Sequence, residues 1–257
     1  MGELLTDPID VILPVCNEGG TIAGTLEEFH RIVALECGIP IRFVICEDGS
    51  TDNTVPILNS MMGRLPIRLI SAVERKGYSR AVIDGFRHAE SALVGCIDSD
   101  GQCDPRDFAR FVDSYRTCDC DIVFGYRNPR RDPWARLLMS RLFGCVHGLL
   151  FHVRLRDPSC PFLLIRREAL RRVLQGGVGR LSQGFWWEFV ARCRAHRLRF
   201  VELPVNHRLR AQGKSRVYRL TRIPRIACEH LQGLFALKRE LLSLDGMGQE
   251  GANHKHP

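Results

Sequence analysis

Across its first 127 residues the chain alternates short β-branched apolar runs with helix-length stretches, and few folds accommodate that alternation. The runs Ile9–Val15, Ile41–Cys46, Ile67–Val73, Leu93–Ile97 and Asp121–Gly125 read as strands. Thr21–Cys37, Asn53–Met62, Ser79–Ala92 and Pro105–Tyr115 read as the helices between them. Strands separated by helices of this length predict βαβ units, hence an α/β fold with a mostly parallel central sheet and helices on both faces. In such sheets ligands collect at the carboxyl ends of the strands.

Three polar clusters fall at those ends. Pro14-Val15-Cys16-Asn17-Glu18 follows the first strand, Glu47-Asp48-Gly49-Ser50 the second, and Asp98-Ser99-Asp100-Gly101-Gln102 the fourth, so all are expected to line one crevice. Alternate residues of an extended segment point the same way, so Asp98 and Asp100 are placed to converge on one hard divalent cation. The Gln102 carbonyl adds a third oxygen or orients a bound water. Asp, Ser and Gly are also ordinary turn residues, and a lone Asp-x-Asp is by itself a solvated turn; the shared address of three clusters is what raises it. A Gly-x-Gly-x-x-Gly after the first strand is absent, and Gly213-Lys214-Ser215 has Arg208 where a phosphate-binding loop needs its first glycine.

The second half is less regular. Trp134–Leu150, Arg167–Leu174 and Trp186–His196 carry helical patterns, Asp157–Ile165 is irregular to extended, and Phe200–Val205 reads as a strand. A basic loop, Arg208–Arg216, leads to an amphipathic stretch from about Thr221 to Leu242, with Ile226, His230, Leu234 and Leu237 on one stripe. Charge divides the same way. Residues 1–125 hold 11 Lys/Arg against 20 Asp/Glu, whereas residues 126–257 hold 26 against 9, giving −9 and +17. The basic half is suited to an anionic partner, whether lipid phosphate, membrane surface or nucleic acid.

The 11 cysteines scatter through apolar runs without a signal-peptide pattern or zinc-ligand spacing, which suggests buried thiols in a reducing cytoplasm. No window reaches the ~18 apolar residues of a membrane-spanning helix. Leu137–Phe151 is interrupted by Arg141, Gly144 and His147. Membrane contact is therefore expected to be peripheral or through a partner.

The combination of motifs resembles the inverting family-2 glycosyltransferases of GT-A fold, and within them the polyprenyl-phosphate enzymes of the dolichol-phosphate mannosyltransferase type. The resemblance covers about Asp10 to Arg216. It rests on Leu13–Glu18, on Glu47–Thr54, on Lys76-Gly77 through Gly85, on Asp98–Gln102, on Gly125-Tyr126-Arg127, on Ser140-Arg141 and on Arg210–Arg216. Cys16 stands in place of the family's usual Tyr, Glu47 in place of its first Asp, and Arg216 in place of a Lys.

The resemblance implies a single GT-A domain over residues 1–216, with a nucleotide and metal half (1–127) and an acceptor half (128–216). A basic amphipathic helix (217–242) and a flexible tail (243–257) follow. By position it implies that Pro14, Cys16, Glu18, Cys46 and Asp48 surround the nucleotide of a GDP- or UDP-sugar. Asp98, Ser99, Asp100 and Gln102 match the segment that holds Mg²⁺ or Mn²⁺ against the diphosphate. Arg127, Arg210 and Arg216 match phosphate-side cations.

The implied activity is inverting transfer of one sugar to a polyprenyl phosphate at the cytoplasmic membrane face, directly or through a small membrane-embedded partner, with no nucleic acid involved. Arg127 and Arg141 are candidates for holding the acceptor phosphate by planar two-pronged contacts. Glu188 falls where hydroxyl-glycosylating relatives keep their base, and reads equally as an ion-pair residue. Asp157–Phe162 resembles an acceptor-side passage of the family. His147, His152 and His207 read as structural or surface residues. Transfer to a hydroxyl acceptor, or a basic binding protein that keeps the fold without catalysis, are the other readings.

Overall fold

The structure, a computed structural model, describes residues 7–129, 134–175, 177–179, 181, 184–208 and 231–243, with the backbone alone at 134–136. The expected strands and helices form an α/β domain around one seven-stranded sheet of order β3-β2-β1-β4-β6-β5-β7. Strands β1 (Ile9–Val15), β2 (Ile41–Asp48), β3 (Ile67–Ala72) and β4 (Leu93–Cys96) are parallel neighbours. The chain leaves β1 toward β2 and β3 and returns on its other side as β4. That reversal opens the crevice between the ends of β1 and β4.

Strand β1 is buried along its whole length, as is most of β2, which explains their continuous rather than alternating apolar pattern. The helices α1 (Ile22–Phe29), α2 (Thr54–Met61), α3 (Tyr78–His88) and α4 (Pro105–Thr117) cover the sheet. The long first helix expected over Thr21–Cys37 is α1 followed by a π-helical stretch, His30–Glu36. Asp104 caps α4 by accepting the Arg106 N–H at 3.0 Å, and Pro105 follows at the first helical position. Phe29, Phe43, Phe108, Phe111 and Phe162 pack edge-on between the layers. Each fully buried side chain of this size contributes about 1.5–3 kcal/mol.

Two glycines set the spacing of helix on sheet. A Cβ on Gly85 would stand 2.3 Å from Ile12 Cγ2, and one on Gly95 would stand 2.6 Å from the Phe108 ring. Only hydrogen at these positions lets α3 and α4 approach so closely.

One strand departs from the parallel expectation. Within the irregular passage before residue 166, Leu163–Arg166 forms β6, which runs antiparallel to both β4 and β5 (Ile122–Arg127). Because β6 runs backwards, the residues that precede it, 157–162, arrive at the same sheet edge where β4 and β5 end. After β6 come α6 (Arg167–Gln175), α7 (Phe185–Ala195) and β7 (Phe200–Val205), the last parallel to β5. Helix α5 (Trp134–Phe151) precedes this region, and residues 231–243 form a last helix, α8.

Candidate functional site

The first polar cluster is stitched to the second. Asn17, in the left-handed region at φ 57°, donates its N–H to Ser50 Oγ at 2.9 Å, and its Oδ1 accepts the Thr51 N–H at 2.7 Å. The Glu18 N–H donates to Thr54 Oγ1 at 3.0 Å. Glu47 accepts the Ser50 N–H. Asp48 is buried, and its carboxylate accepts the N–H groups of Lys76 (2.6 Å) and Gly77 (2.9 Å), fixing the loop between β3 and α3. Gly49 allows this closeness, since a Cβ there would stand 2.7 Å from the Arg75 nitrogen. Cys46 is buried, and its thiol is pushed up to about 12 by burial and then by Asp84. It meets any ligand as a neutral thiol. Cys16 is half-buried at the end of β1.

The third cluster joins the first through Ser99, whose Oγ donates to the Pro14 carbonyl at 2.9 Å. Asp98 and Asp100 are half-buried neighbours. Burial and the charge of Asp100 push the Asp98 carboxyl up to about 7, against the opposing influence of Tyr78 and Arg127, while Glu18 adds to the rise. Pro14, Glu18, Asp98, Ser99, Asp100 and Arg127 thus share one crevice, where the sheet reverses. A pair of carboxylates that repel one another in a partly buried site suits a cation, which neutralises both. Among the described residues no group of three or more His, Cys, Asp and Glu side chains could hold a metal. The pair fits a hard ion that fills the rest of its shell with water and phosphate oxygens.

Gln102 is held through its amide nitrogen. Its Nε2 donates to the Arg208 carbonyl at 3.0 Å, the Arg208 N–H donates to the Gln102 backbone carbonyl at 2.7 Å, and Cys103 and His207 pair as an isolated antiparallel β-bridge. The side chain therefore fastens the start of the basic loop beside the acid pair. Arg208 is held in turn by Glu28 at 2.9 Å and Asp104 at 3.0 Å.

At the end of β5 Arg127 faces Asp157 in a two-pronged pair, Nε to Oδ2 at 2.7 Å and Nη2 to Oδ1 at 3.0 Å, with Ser159 Oγ accepting from Nη2 at 2.9 Å. The backward course of β6 makes this pair possible. Arg141 stands exposed on α5, and among the described residues no contact draws it into the crevice. Arg210 and Arg216 lie outside the described residues.

Glu188, the candidate base, is enclosed by protein. It is fully buried, and its oxygens accept the N–H groups of Gly179 (3.1 Å) and Leu181 (2.9 Å) and the Arg192 Nε at 2.9 Å. Arg192, itself 1% exposed, also reaches Glu240 on α8 at 3.0 Å. Of the two readings of Glu188, the contacts are those of a buried ion pair that fastens Gly177, Gly179 and Leu181. His147, as expected, is structural: it is buried on α5 with Nε2 2.9 Å from the Trp187 carbonyl.

Two residues of the site were not singled out from sequence. Tyr78 donates to Asp98 Oδ1 at 3.0 Å and accepts the Trp186 indole N–H at 3.0 Å. Tyr78 immediately follows the Lys76-Gly77 motif, which was the available signal. Trp186 lies in an aromatic cluster whose packing hides its polar edge.

The seven-stranded, mostly parallel sheet with its helices is an architecture of GT-A type, and the comparison with known families agrees. Residues 10–174 match the model of Glycosyl transferase family 2, and the chain belongs to that family: it is a glycosyltransferase of GT-A fold. It is 25% identical over 90% of its length to dodecaprenyl-phosphate galacturonate synthase of Rhizobium johnstonii, and spans 67% of that protein. It is 26% identical over 81% of its length to dolichol-phosphate mannosyltransferase of Pyrococcus furiosus, and spans 59% of it. Among solved structures, glucosyl-3-phosphoglycerate synthase of Mycobacterium tuberculosis with Mn²⁺, UDP and glucosyl-3-phosphoglycerate superposes with TM-score 0.67 at 18% identity, covering 90% of this chain and 80% of that one.

Proposed function

We propose that the chain moves one sugar, with inversion, from a GDP- or UDP-sugar to the phosphate of a polyprenyl phosphate, working peripherally at the cytoplasmic membrane face. The observation that carries this reading is the sealed Glu188: the position from which a base would serve a hydroxyl acceptor is occupied by a carboxylate committed to Arg192 and two amides. A phosphate acceptor is already ionised and requires no base. The names of the relatives above, polyprenyl-phosphate sugar transferases, support the same choice.

Asp98 and Asp100, with the Gln102 side-chain oxygen directly or through a water, would hold Mg²⁺ or Mn²⁺, which when bound neutralises charge on the departing diphosphate. The chain's own residues do the rest. Pro14, Cys16, Glu18, Cys46 and Asp48 line the nucleotide end, and the amides around Asp48 fix its orientation. Arg127 offers its planar guanidinium to phosphate oxygens beside the acid pair. An acceptor phosphate oxygen attacks the anomeric carbon from the face opposite the leaving group. The carbon–oxygen bond to the β-phosphate breaks, the electron pair leaves with the nucleoside diphosphate, and no proton is transferred. Arg141 would add positive charge for the acceptor phosphate, while the family resemblance assigns Arg210 and Arg216 to the phosphates of the donor. Among the described residues no helix is long and apolar enough to cross a membrane. In this reading a lipid acceptor is reached from the surface, by the basic half or by a small membrane-embedded partner.

A screen of GDP- and UDP-sugars with Mn²⁺ and a short polyprenyl phosphate tests the reading. The expected product is a glycosyl phospholipid, formed by wild type and, per folded molecule, by Glu188→Gln. Loss of turnover in Glu188→Gln with donor binding intact, together with transfer to hydroxyl acceptors, would overturn it in favour of a hydroxyl-glycosylating enzyme.

A further inference from the structure

Helix α5 is apolar on two opposite faces. One face packs inward: Phe143 meets the Trp187 ring edge-on at 4.7 Å, His147 bonds the Trp187 carbonyl, and Phe151 is buried. The other is a stripe at spacings of four, three and four residues, Leu138, Leu142, Cys145 and Leu149, which spans about 60° of the helix circumference at 100° per residue. All four are exposed, the three leucines by 50%, 56% and 78%. Met139 and Arg141 flank the stripe and are exposed as well. A helix apolar on both sides has a second surface to cover. Leu35, Met62 and Val73 are exposed singly, whereas among the described residues α5 gathers four exposed large apolar side chains and the neighbouring α8 two.

We infer that this stripe seats in the headgroup and upper acyl region of an anionic bilayer, with α5 lying in the membrane plane. Charge selects this occupant. Residues 134–151 contain no Asp or Glu, Arg141 borders the stripe, and the half of the chain from residue 126 onward carries +17. Lys238 of α8 lies 5.9 Å from the centre of the Phe151 ring at the end of α5, and α8 exposes Phe235, Arg239 and Leu242, so apolar and basic groups continue beside it. Eighteen residues interrupted by Arg141 and His147 do not cross a bilayer, but an in-plane helix of this composition buries its apolar side about 5–10 Å deep. The inference deepens the lipid-acceptor reading, and rests on it for the choice of a bilayer over a second protein.

Cys145 provides a probe on the stripe itself. The full chain, with Cys37, Cys118 and Cys228 changed to Ser, is labelled at Cys145 with an environment-sensitive fluorophore and mixed with phosphatidylglycerol-containing or pure phosphatidylcholine vesicles. The label should shift to the blue with the anionic vesicles, and unlabelled Leu142→Glu/Leu149→Glu should float with them at least about tenfold less than wild type. An aqueous spectrum at Cys145 in protein that floats, or unchanged flotation of the double variant, would overturn the proposal. So would a concentration-dependent dimer, seen by sedimentation without lipid and abolished by the double variant. Transfer to a detergent-dispersed short polyprenyl phosphate keeps the two readings apart: the double variant should retain it. Absence of transfer in wild type with a lipid-shifted Cys145 label would sink the acceptor assignment and leave the docking surface standing.

Discussion

Tyr78 donates its phenolic hydrogen to Asp98 across 3.0 Å, and the same hydroxyl accepts the Trp186 indole N–H at the same distance. The acid pair is thus tied to α7, a helix of the other half of the chain. Burial and the adjacent Asp98 raise the Tyr78 hydroxyl well above the ordinary tyrosine range, so it remains a donor throughout the working pH range.

Tyr78→Phe removes that donor and strands the Trp186 N–H. The expected result is a loss of about 1–2 kcal/mol in stability and a fall of roughly fivefold in affinity for Mn²⁺ with GDP or UDP. Calorimetry with each nucleotide would check it; unchanged affinity would mean that the tyrosine does not orient Asp98.

The acid pair makes the metal-free protein pH-sensitive. Asp98 ordinarily titrates near 3.8 and in the fold at about 7. Its protonated form therefore favours the folded state, a contribution fully present below about pH 4 and lost as pH rises through 7. Asp98→Asn should raise the metal-free melting temperature at pH 8 by roughly 2–4 °C, while Mn²⁺-dependent stabilisation by nucleotide disappears. A lower melting temperature for the variant at pH 8 would refute the account of its environment.

His147 behaves with the opposite sign. Burial lowers it to about 4 from an ordinary 6.5, despite the Trp187 carbonyl. The neutral imidazole supports the fold above pH 6.5, and that support is lost as pH falls toward 4, by up to about 3 kcal/mol. In urea titrations at several pH values, His147→Leu should flatten the acid decline between 6.5 and 4. A decline identical to wild type would assign the acid sensitivity to other groups.

Asp157→Ala leaves Arg127 nearly buried without its two-pronged partner, the two side chains being 12% and 4% exposed. A destabilisation of about 3 kcal/mol is expected, read from the urea midpoint. A cost below about 1 kcal/mol would indicate that solvent reaches the pair.

Gly85→Ala tests the close approach of α3 to β1. The added methyl would stand 2.3 Å from Ile12 Cγ2 and 2.8 Å from Cys46 Sγ. Overpacking of this kind costs about 1–3 kcal/mol and outweighs the helix propensity gained. A more stable variant would show that the helix shifts freely.

The parallel half was legible because its signals are local. An apolar run ending in Glu47-Asp48 or Asp98-Ser99-Asp100 announces both a strand and which end of it holds ligand. The direction of β6 was not legible: Leu163–Arg166 is short and apolar whichever way it runs, and its neighbours β4 and β5 lie far away in sequence. That concealed how Asp157 comes to face Arg127. Glu188 illustrates the same limit from the other side. Its Arg192 partner sits one helical turn away and is readable, but the amides of Gly179 and Leu181 and the link to Glu240 depend on packing. A base and a buried ion pair look alike in sequence. Tyr78 and Trp186 were hidden because an aromatic ring in a helix reads as core, whatever its one polar atom does.

The family match ends at residue 174, yet the sheet does not. β5 and β7 are paired from Ile122 with Phe200 through Arg127 with Val205, and Arg192 carries the connection on to Glu240. A chain trimmed to the matched portion would turn β5 into a bare edge, its N–H and C=O groups open to other chains, and would remove the helix that holds Trp186. Such a fragment should aggregate rather than fold into a smaller enzyme.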